Sequence, residues 1–346
     1  MEDKTIFWDF EKNCIRLIEQ TLLPAEYRII SCDSVERLAK AIKNLEVRGA
    51  PALGVAGGFG IALATFRHDD ENMDGFFKLV SDDADYLMGM RPTAVNLSWG
   101  IKRVLNTIQD CKSPKEARET ALAEAVKIAE EDERMCHLIG KYGAEYLPEK
   151  CTVLTHCNAG ALACYTWGTA LGVIRSAVLA GKEISVVSCE TRPLNQGSRL
   201  TAWELSKDNI PVKTITDSTA AYLMKKGEID AVLVGADRIT HDAVFNKIGT
   251  YMHAVCAAHH NIPFYVAAPS STFDNVNSES DIVIEERARD ELAFCGEKQL
   301  MPDNVKAFNF AFDPTPMDLI TAIFTEKGVL KPPILKGDLV PESRDI

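Results

Sequence analysis

Cys157 and Asp237 are the side chains that the sequence places best for chemistry. Each follows a short apolar run, residues 151–156 and 231–236, and so stands where a buried strand would end. In an open parallel sheet, ligands bind beyond the carboxyl ends of the strands. Two readings fit Cys157: a thiolate favoured by the dipole of a following helix, or one more small buried filler among ten cysteines. Asp237 also has two. Burial would raise its pKa towards neutrality and suit it to pass protons; alternatively it caps a helix or pairs with Arg238. His156 adjoins Cys157, but successive strand residues point to opposite faces, so it reads as structural rather than as the base of the thiol.

Other polar residues gather by the same rule. Asn158, Ala159 and Gly160 follow the first strand, Thr191 to Ser198 the second, Asp217 and Ser218 the third, and Arg238 stands beside Asp237 after the fourth. A helix N-terminus at that edge would offer backbone N–H groups to a phosphate. Arg48 before Gly49-Ala50-Pro51, Arg91 before Pro92 and Lys247 after Asn246 each occupy a turn ahead of an expected helix, which suits an anion. No Gly-x-Gly-x-x-Gly follows the first strand and no Walker loop occurs, which argues against nicotinamide and P-loop nucleotide chemistry.

The elements that must position these residues fall into two parts. Helical spacing covers residues 35–46, 51–66, 94–109 and 114–142; the glycines of the second stretch read as points of close helix approach. After Lys150, short β-branched runs alternate with helical stretches at 151–156, 184–190, 212–216, 231–236, 263–268 and 281–285, the pattern of parallel βαβ units buried on both faces. The expected fold is α/β: a mainly helical N-terminal domain, 1–146, followed by a Rossmann-like domain, 147–346. The Pro-rich charged tail after Lys331 reads as loosely held.

Composition narrows the function. With 38 basic against 50 acidic side chains, the net charge of -12 disfavours nucleic acid and anionic lipid as partners. The cysteines form no Cys-x-x-Cys pair and no zinc-finger spacing, so no metal is expected and the thiols read as reduced. No secretory leader is evident and no segment reaches the roughly 18 apolar residues of a membrane span, so the cytoplasm is expected.

RGAPALGVAG (48–57), RPTAVNL (91–97), THCNAGALA (155–163), TRPLNQGSRLTAWEL (191–205), ITDS (215–218), VGADRI (234–239) and NKIGTY (246–251) occur in family order. Together they resemble the methylthioribose-1-phosphate isomerases of methionine salvage, which share a fold with initiation factor 2B regulatory subunits and ribose-1,5-bisphosphate isomerases. The resemblance implies a cofactor-free aldose–ketose isomerase and a homodimer. It implies catalysis by Cys157 and Asp237, with the phosphosugar held by Arg48, Gly49, Ala50, Arg91, Gln196, Asn246 and Lys247. Related sugar 1-phosphates (ribose 1,5-bisphosphate, 5-deoxyribose 1-phosphate) and a non-catalytic regulatory subunit are the alternatives. One departure stands out: the Gly usual before the Asp-x-x-Asn-Lys run is absent at His241-Asp242-Ala243, which puts the shape of that loop and the C5 preference in question.

Overall fold

The computed structural model describes residues 4–91 and 94–335. Pro92 and Thr93 of the RPTAVNL stretch, residues 1–3 and the tail from 336 onward lie outside it. The chain groups into two compact units: residues 1–136 with 160–168, and residues 137–159 with 169–346.

The first unit opens with strands that the sequence reading does not anticipate. β1 (Ile6–Asp9), β2 (Cys14–Ile18) and β3 (Ile29–Cys32) form an antiparallel sheet in that order. Helices α1 (Val35–Lys43), α2 (Ala50–Arg67), α3 (Met73–Met88) and α4 (Val95–Ile108) follow, then α5 (Pro114–Ala144). In α1, Val35, Leu38, Ala39 and Ile42 form one buried face, and the Ser34 hydroxyl accepts the Arg37 N–H as N-cap. α2 is buried along nearly its whole length. It packs closely on α4: a Cβ on Gly57 would lie 2.6 Å from the Leu97 carbonyl oxygen, as the small-residue reading of this stretch expects. By length and composition α2 also reaches the apolar span of a membrane helix, which corrects the expectation that no segment does; 78% of it is buried in the core.

α5 runs unbroken past the point where the units part, so the helical period carries no mark of a boundary there; the sequence reading puts it at 146/147. In the second unit come β4 (Lys150–Thr155), α6 (Ala170–Leu179), β5 (Glu183–Cys189), α7 (Ala202–Lys207), β6 (Val212–Ile215), α8 (Thr219–Lys225) and β7 (Ala231–Val234). They are followed by β8 (Arg238–Ile239), β9 (Ala243–Lys247), α9 (Thr250–His259), β10 (Phe264–Ala267), a hairpin of β11 (Phe294–Cys295) and β12 (Lys298–Gln299), β13 (Phe312–Pro316), β14 (Ala322–Thr325) and β15 (Gly328–Leu330). The main sheet has the order β15-β14-β10-β7-β4-β5-β6, parallel except for the edge strand β15. β7, β10 and β14 are buried at every residue, the burial on both faces that makes their sequences continuously apolar. The expected strand at 281–285 is not one: Val283 is 92% exposed, and β14 supplies the remaining parallel strand instead.

The strand order marks where a ligand site is expected. From β4 the chain builds outward through β5 and β6, then returns to the other side of β4 for β7, β10 and β14. The winding therefore reverses between β4 and β7, the position at which open α/β sheets bind ligands beyond the carboxyl ends of their strands.

Candidate functional site

Cys157 stands just beyond β4 and Asp237 just beyond β7, so the two flank the reversal point. Cys157 has a φ of 65°, a region that a side chain other than glycine seldom adopts, and it is held there on both sides. Its N–H donates to Thr191 Oγ1 (2.9 Å), and its carbonyl accepts from Thr201 Oγ1 (2.7 Å). Thr191 is itself at φ 66°, and its hydroxyl donates to the Cys189 carbonyl at 3.1 Å. A Cβ on Gly197 would lie 1.7 Å from that same carbonyl oxygen, so only glycine lets the turn after β5 pass this close. Beside Gly197, the Gln196 Oε1 is buried and accepts no hydrogen bond from any described residue.

The helix dipole expected for Cys157 is not adjacent to it. The segment after β4 is loop and one 3₁₀ turn, and α6 begins only at Ala170, where the Leu171 N–H is taken by the Ala159 carbonyl. Local bonding, rather than a helix end, fixes the thiol's surroundings. Asn158 extends that bonding inward: its Nδ2 donates to Thr201 Oγ1 (3.1 Å) and to Glu204 Oε1 (3.0 Å). Glu204 and Asp208 in turn clamp the buried Arg175, whose pKa they raise against the lowering effect of burial. Six of the ten cysteines are buried, and burial pushes Cys32 and Cys151 up to about 12, whereas Cys157 is half-buried at the sheet edge.

Asp237 is exposed, so the burial expected to raise its pKa is not present among the described residues. It does not cap a helix, since β8 follows it directly. Its N–H donates to the Phe245 carbonyl at 2.9 Å, while Arg238 pairs with Asp274 at 2.8 Å. The β13-β9-β8 sheet beside it carries Asn246 and Lys247 on β9. Asn246 is buried and donates to Thr250 Oγ1 (3.0 Å). Lys247 Nζ lies 4.5 Å from the centre of the Phe312 ring and donates to the Ala311 carbonyl (2.9 Å). The β8–β9 turn closes without a glycine: Thr240 Oγ1 donates to Asp242 Oδ1 (2.7 Å) and accepts the Ala243 N–H (3.1 Å). Neither Asp242 nor Ala243 has a positive φ, so the missing Gly does not strain this loop.

The N-terminus of α9 already holds an anion. Asp313 accepts the Gly249 N–H (2.7 Å) and the Tyr251 N–H (3.2 Å), and burial raises its pKa to about 6 against those bonds. At α6 and α9 the expected free helix-end donors are thus partly engaged by the protein. The sequence reading also misses His253. His156 Nε2 donates to the Ile248 carbonyl (2.8 Å), which leaves Nδ1 to accept from His253 Nε2 (3.2 Å). Burial lowers the two rings to about 4 and about 3, so both are neutral and His156 is structural, as its strand position suggests.

In the first unit, Arg48 Nε donates to Gln20 Oε1 (3.2 Å), and Gln20 Nε2 donates to the Leu162 carbonyl (2.8 Å). Gly49 caps α2 at φ 99°, and a Cβ there would lie 2.5 Å from Ala163 Cα. Ala50 starts α2, and Arg91 lies in the turn before α4. Each of Arg48, Arg91 and Lys247 therefore precedes a helix, as expected. Two groups of described residues bring metal-type donors within 4.8 Å of one another: His156, Cys189, Asp217 and His253, and separately Asp132, Cys136 and Cys164. In the first group His156 Nδ1 is engaged by His253, and the Asp217 oxygens are engaged by backbone N–H groups.

The chain is similar to known proteins along nearly its whole length. Residues 46–332 match the initiation factor 2 subunit family. A methylthioribose-1-phosphate isomerase from Heliobacterium modesticaldum is 51% identical over 324 residues, covering 92% of this chain and 94% of that protein. The solved structure of 5-methylthioribose 1-phosphate isomerase from Pyrococcus horikoshii superposes with a TM-score of 0.91 at 42% identity, covering 97% of this chain and 94% of that one. A structure from A. fulgidus, described as translation initiation factor eIF-2B subunit delta, superposes with a TM-score of 0.89 at 55% identity, covering 97% and 99%.

Proposed function

The chain belongs to the initiation factor 2 subunit family and, within it, to the aldose–ketose isomerases of sugar phosphates; we propose that its reaction converts 5-methylthioribose 1-phosphate to 5-methylthioribulose 1-phosphate, a step of methionine salvage. The observation that carries this reading is the pairing of a thiol and a carboxylate on either side of the β4–β7 reversal point. A regulatory subunit would need neither group.

The phosphate on C1 prevents spontaneous ring opening, so the enzyme must supply the proton. Asp237 gives it to the ring oxygen, the C1 cation forms, and the carboxylate later takes the proton of the 2-hydroxyl. Between those events Cys157, as thiolate, removes the proton from C2 and returns it to C1 through the enol, so the change is redox-neutral within the sugar. Direct movement of the C2 hydrogen to C1 as hydride would leave Cys157 an electrostatic part only. Gln196 Oε1, a buried acceptor without a donor among the described residues, suits a sugar hydroxyl. Arg48, Arg91, Asn246 and Lys247, with the Gly49–Ala50 turn, are the proposed holders of the phosphosugar. A homodimer is part of the same reading, checked by sedimentation.

The test is incubation of the purified protein with 5-methylthioribose 1-phosphate in D2O, followed by phosphorus and carbon NMR. Ketose formation supports the proposal, and deuterium at C1 selects proton transfer over hydride shift. Turnover of ribose 1,5-bisphosphate or 5-deoxyribose 1-phosphate instead would replace the substrate. Silence on all three would favour the regulatory reading.

A further inference from the structure

We propose that Asp217 is a positioning residue for Cys157, acting through the backbone and hydroxyl of Thr191; the proposal rests on the isomerase reading above. Asp217 lies just beyond β6, two strands away from β4 in the sheet. Its Oδ1 accepts the Thr191 N–H and its Oδ2 the Arg192 N–H, each at 2.8 Å. These bonds fix the chain as it leaves β5, where Thr191 adopts a φ of 66°. A β-branched residue holds such a backbone only when its surroundings over-determine it. Thr191 Oγ1 then accepts the Cys157 N–H at 2.9 Å and donates to the Cys189 carbonyl at 3.1 Å. A continuous path of hydrogen bonds thus runs from the end of β6, across the end of β5, to the backbone that carries the thiol.

The path needs a carboxylate. Both Asp217 oxygens are acceptors for N–H groups that diverge from one turn, and bonds to an ionised acceptor are about twice as strong as neutral ones. An asparagine offers one acceptor and turns an NH2 group towards the second N–H, which is left without a partner. The facing titratable groups do not replace it. His156 Nδ1, 3.8 Å from Oδ1, belongs to a ring that burial keeps neutral; His253 is also neutral; and burial pushes the Cys189 thiol up.

The experiment compares wild type with Asp217→Asn, Thr191→Val, Thr191→Ser and the Asp217→Asn/Thr191→Val pair. Three readouts are used: kcat and KM on the sugar phosphate, the rate of Cys157 alkylation mapped by peptide mass spectrometry, and the melting temperature. Asp217→Asn is expected to lower kcat about 100-fold, with KM within about threefold, because a small misplacement of a reacting group costs that much. Cys157 alkylation should slow by about tenfold or more. Thr191→Val should match it, Thr191→Ser should retain wild-type behaviour, and the pair should be no worse than Thr191→Val alone. Wild-type kcat and alkylation in Asp217→Asn, or effects that multiply in the pair, would overturn the proposal. Should Asp217→Asn fail to fold, a folded Thr191→Val with wild-type values overturns it just as well. If wild type turns over no sugar phosphate, the isomerase reading fails, while the alkylation series still decides the positioning claim.

Discussion

The connection between β4 and α6 is divided between the two units, and its halves are held by different chemistry. The first half, residues 156–159, belongs with the parallel-sheet unit and is fixed by Thr191 just beyond β5, by Thr201 and Glu204 at the start of and within α7, and by the neutral His156–His253 pair. The second half, residues 160–168, belongs with the N-terminal unit. There Thr5 Oγ1 donates to the Ala161 carbonyl (2.7 Å), Gln20 Nε2 to the Leu162 carbonyl (2.8 Å), and the Tyr165 N–H to Asp132 Oδ2 (2.6 Å). One half presents the candidate thiol. The other packs on Gly49 and, through Gln20, orients Arg48. Burial acts on both anchors with opposite consequences: it holds the histidines neutral by lowering them, and raises the Asp132 carboxyl to about 7. The two halves of this one connection are therefore anchored by groups that respond to pH in opposite senses.

The contrast can be broken first at Gly49. Gly49→Ala combines a φ of 99° with a Cβ 2.5 Å from Ala163 Cα, and should destabilise the protein by about 3 kcal/mol in denaturant melts. A loss under about 0.5 kcal/mol would mean that the second half does not constrain the turn at Arg48. The histidine pair should come next. With folded pKa values of about 4 and about 3, below the usual 6.5, the unfolded chain binds more protons between these limits. The histidine contribution is therefore complete above pH 6.5 and is lost as pH falls through about 4 and then about 3, on the order of several kcal/mol for the pair. His253→Gln, which can still donate to His156, should flatten this acid slope; an unchanged slope would place the titration elsewhere. The smallest effect is expected at Asp132. Raised from 3.8 to about 7, its contribution is complete below pH 3.8 and is lost as pH rises through 7. Asp132→Asn keeps an acceptor for Tyr165 and should stabilise by about 1–2 kcal/mol at pH 8, with the gain vanishing near pH 4. A gain independent of pH would contradict the assignment.

Much of this architecture is legible in the sequence where one period dominates. The amphipathic α1, α4 and α5 show helical apolar spacing because one face is buried, and α2, β4, β5, β7 and β10 show near-continuous apolar runs because they are buried almost throughout. β1 to β3 escape because they are short and β3 leaves Ser31 exposed; α3 escapes although its buried Phe76, Val80, Ala84 and Leu87 keep helical spacing. Residues 281–285 carry the composition of a strand without its burial. The strand-end rule picks out Cys157, Asp237 and Gln196 as candidates and gives Thr191 and Asp217 no role: the part proposed for those two depends on positive φ and on bonds between residues far apart in the chain. Asp313, on β13, binds the N-terminus of α9, but its Pro-rich strand sequence gives no signal of this role.

The most direct test of the central claim compares Cys157→Ser and Asp237→Asn with wild type on 5-methylthioribose 1-phosphate, by NMR, at equal melting temperature. The account predicts that wild type forms the ketose and that each variant loses at least about 100-fold in kcat/KM. Wild-type turnover by either variant would contradict the assignment of the β4–β7 reversal point as the site of chemistry.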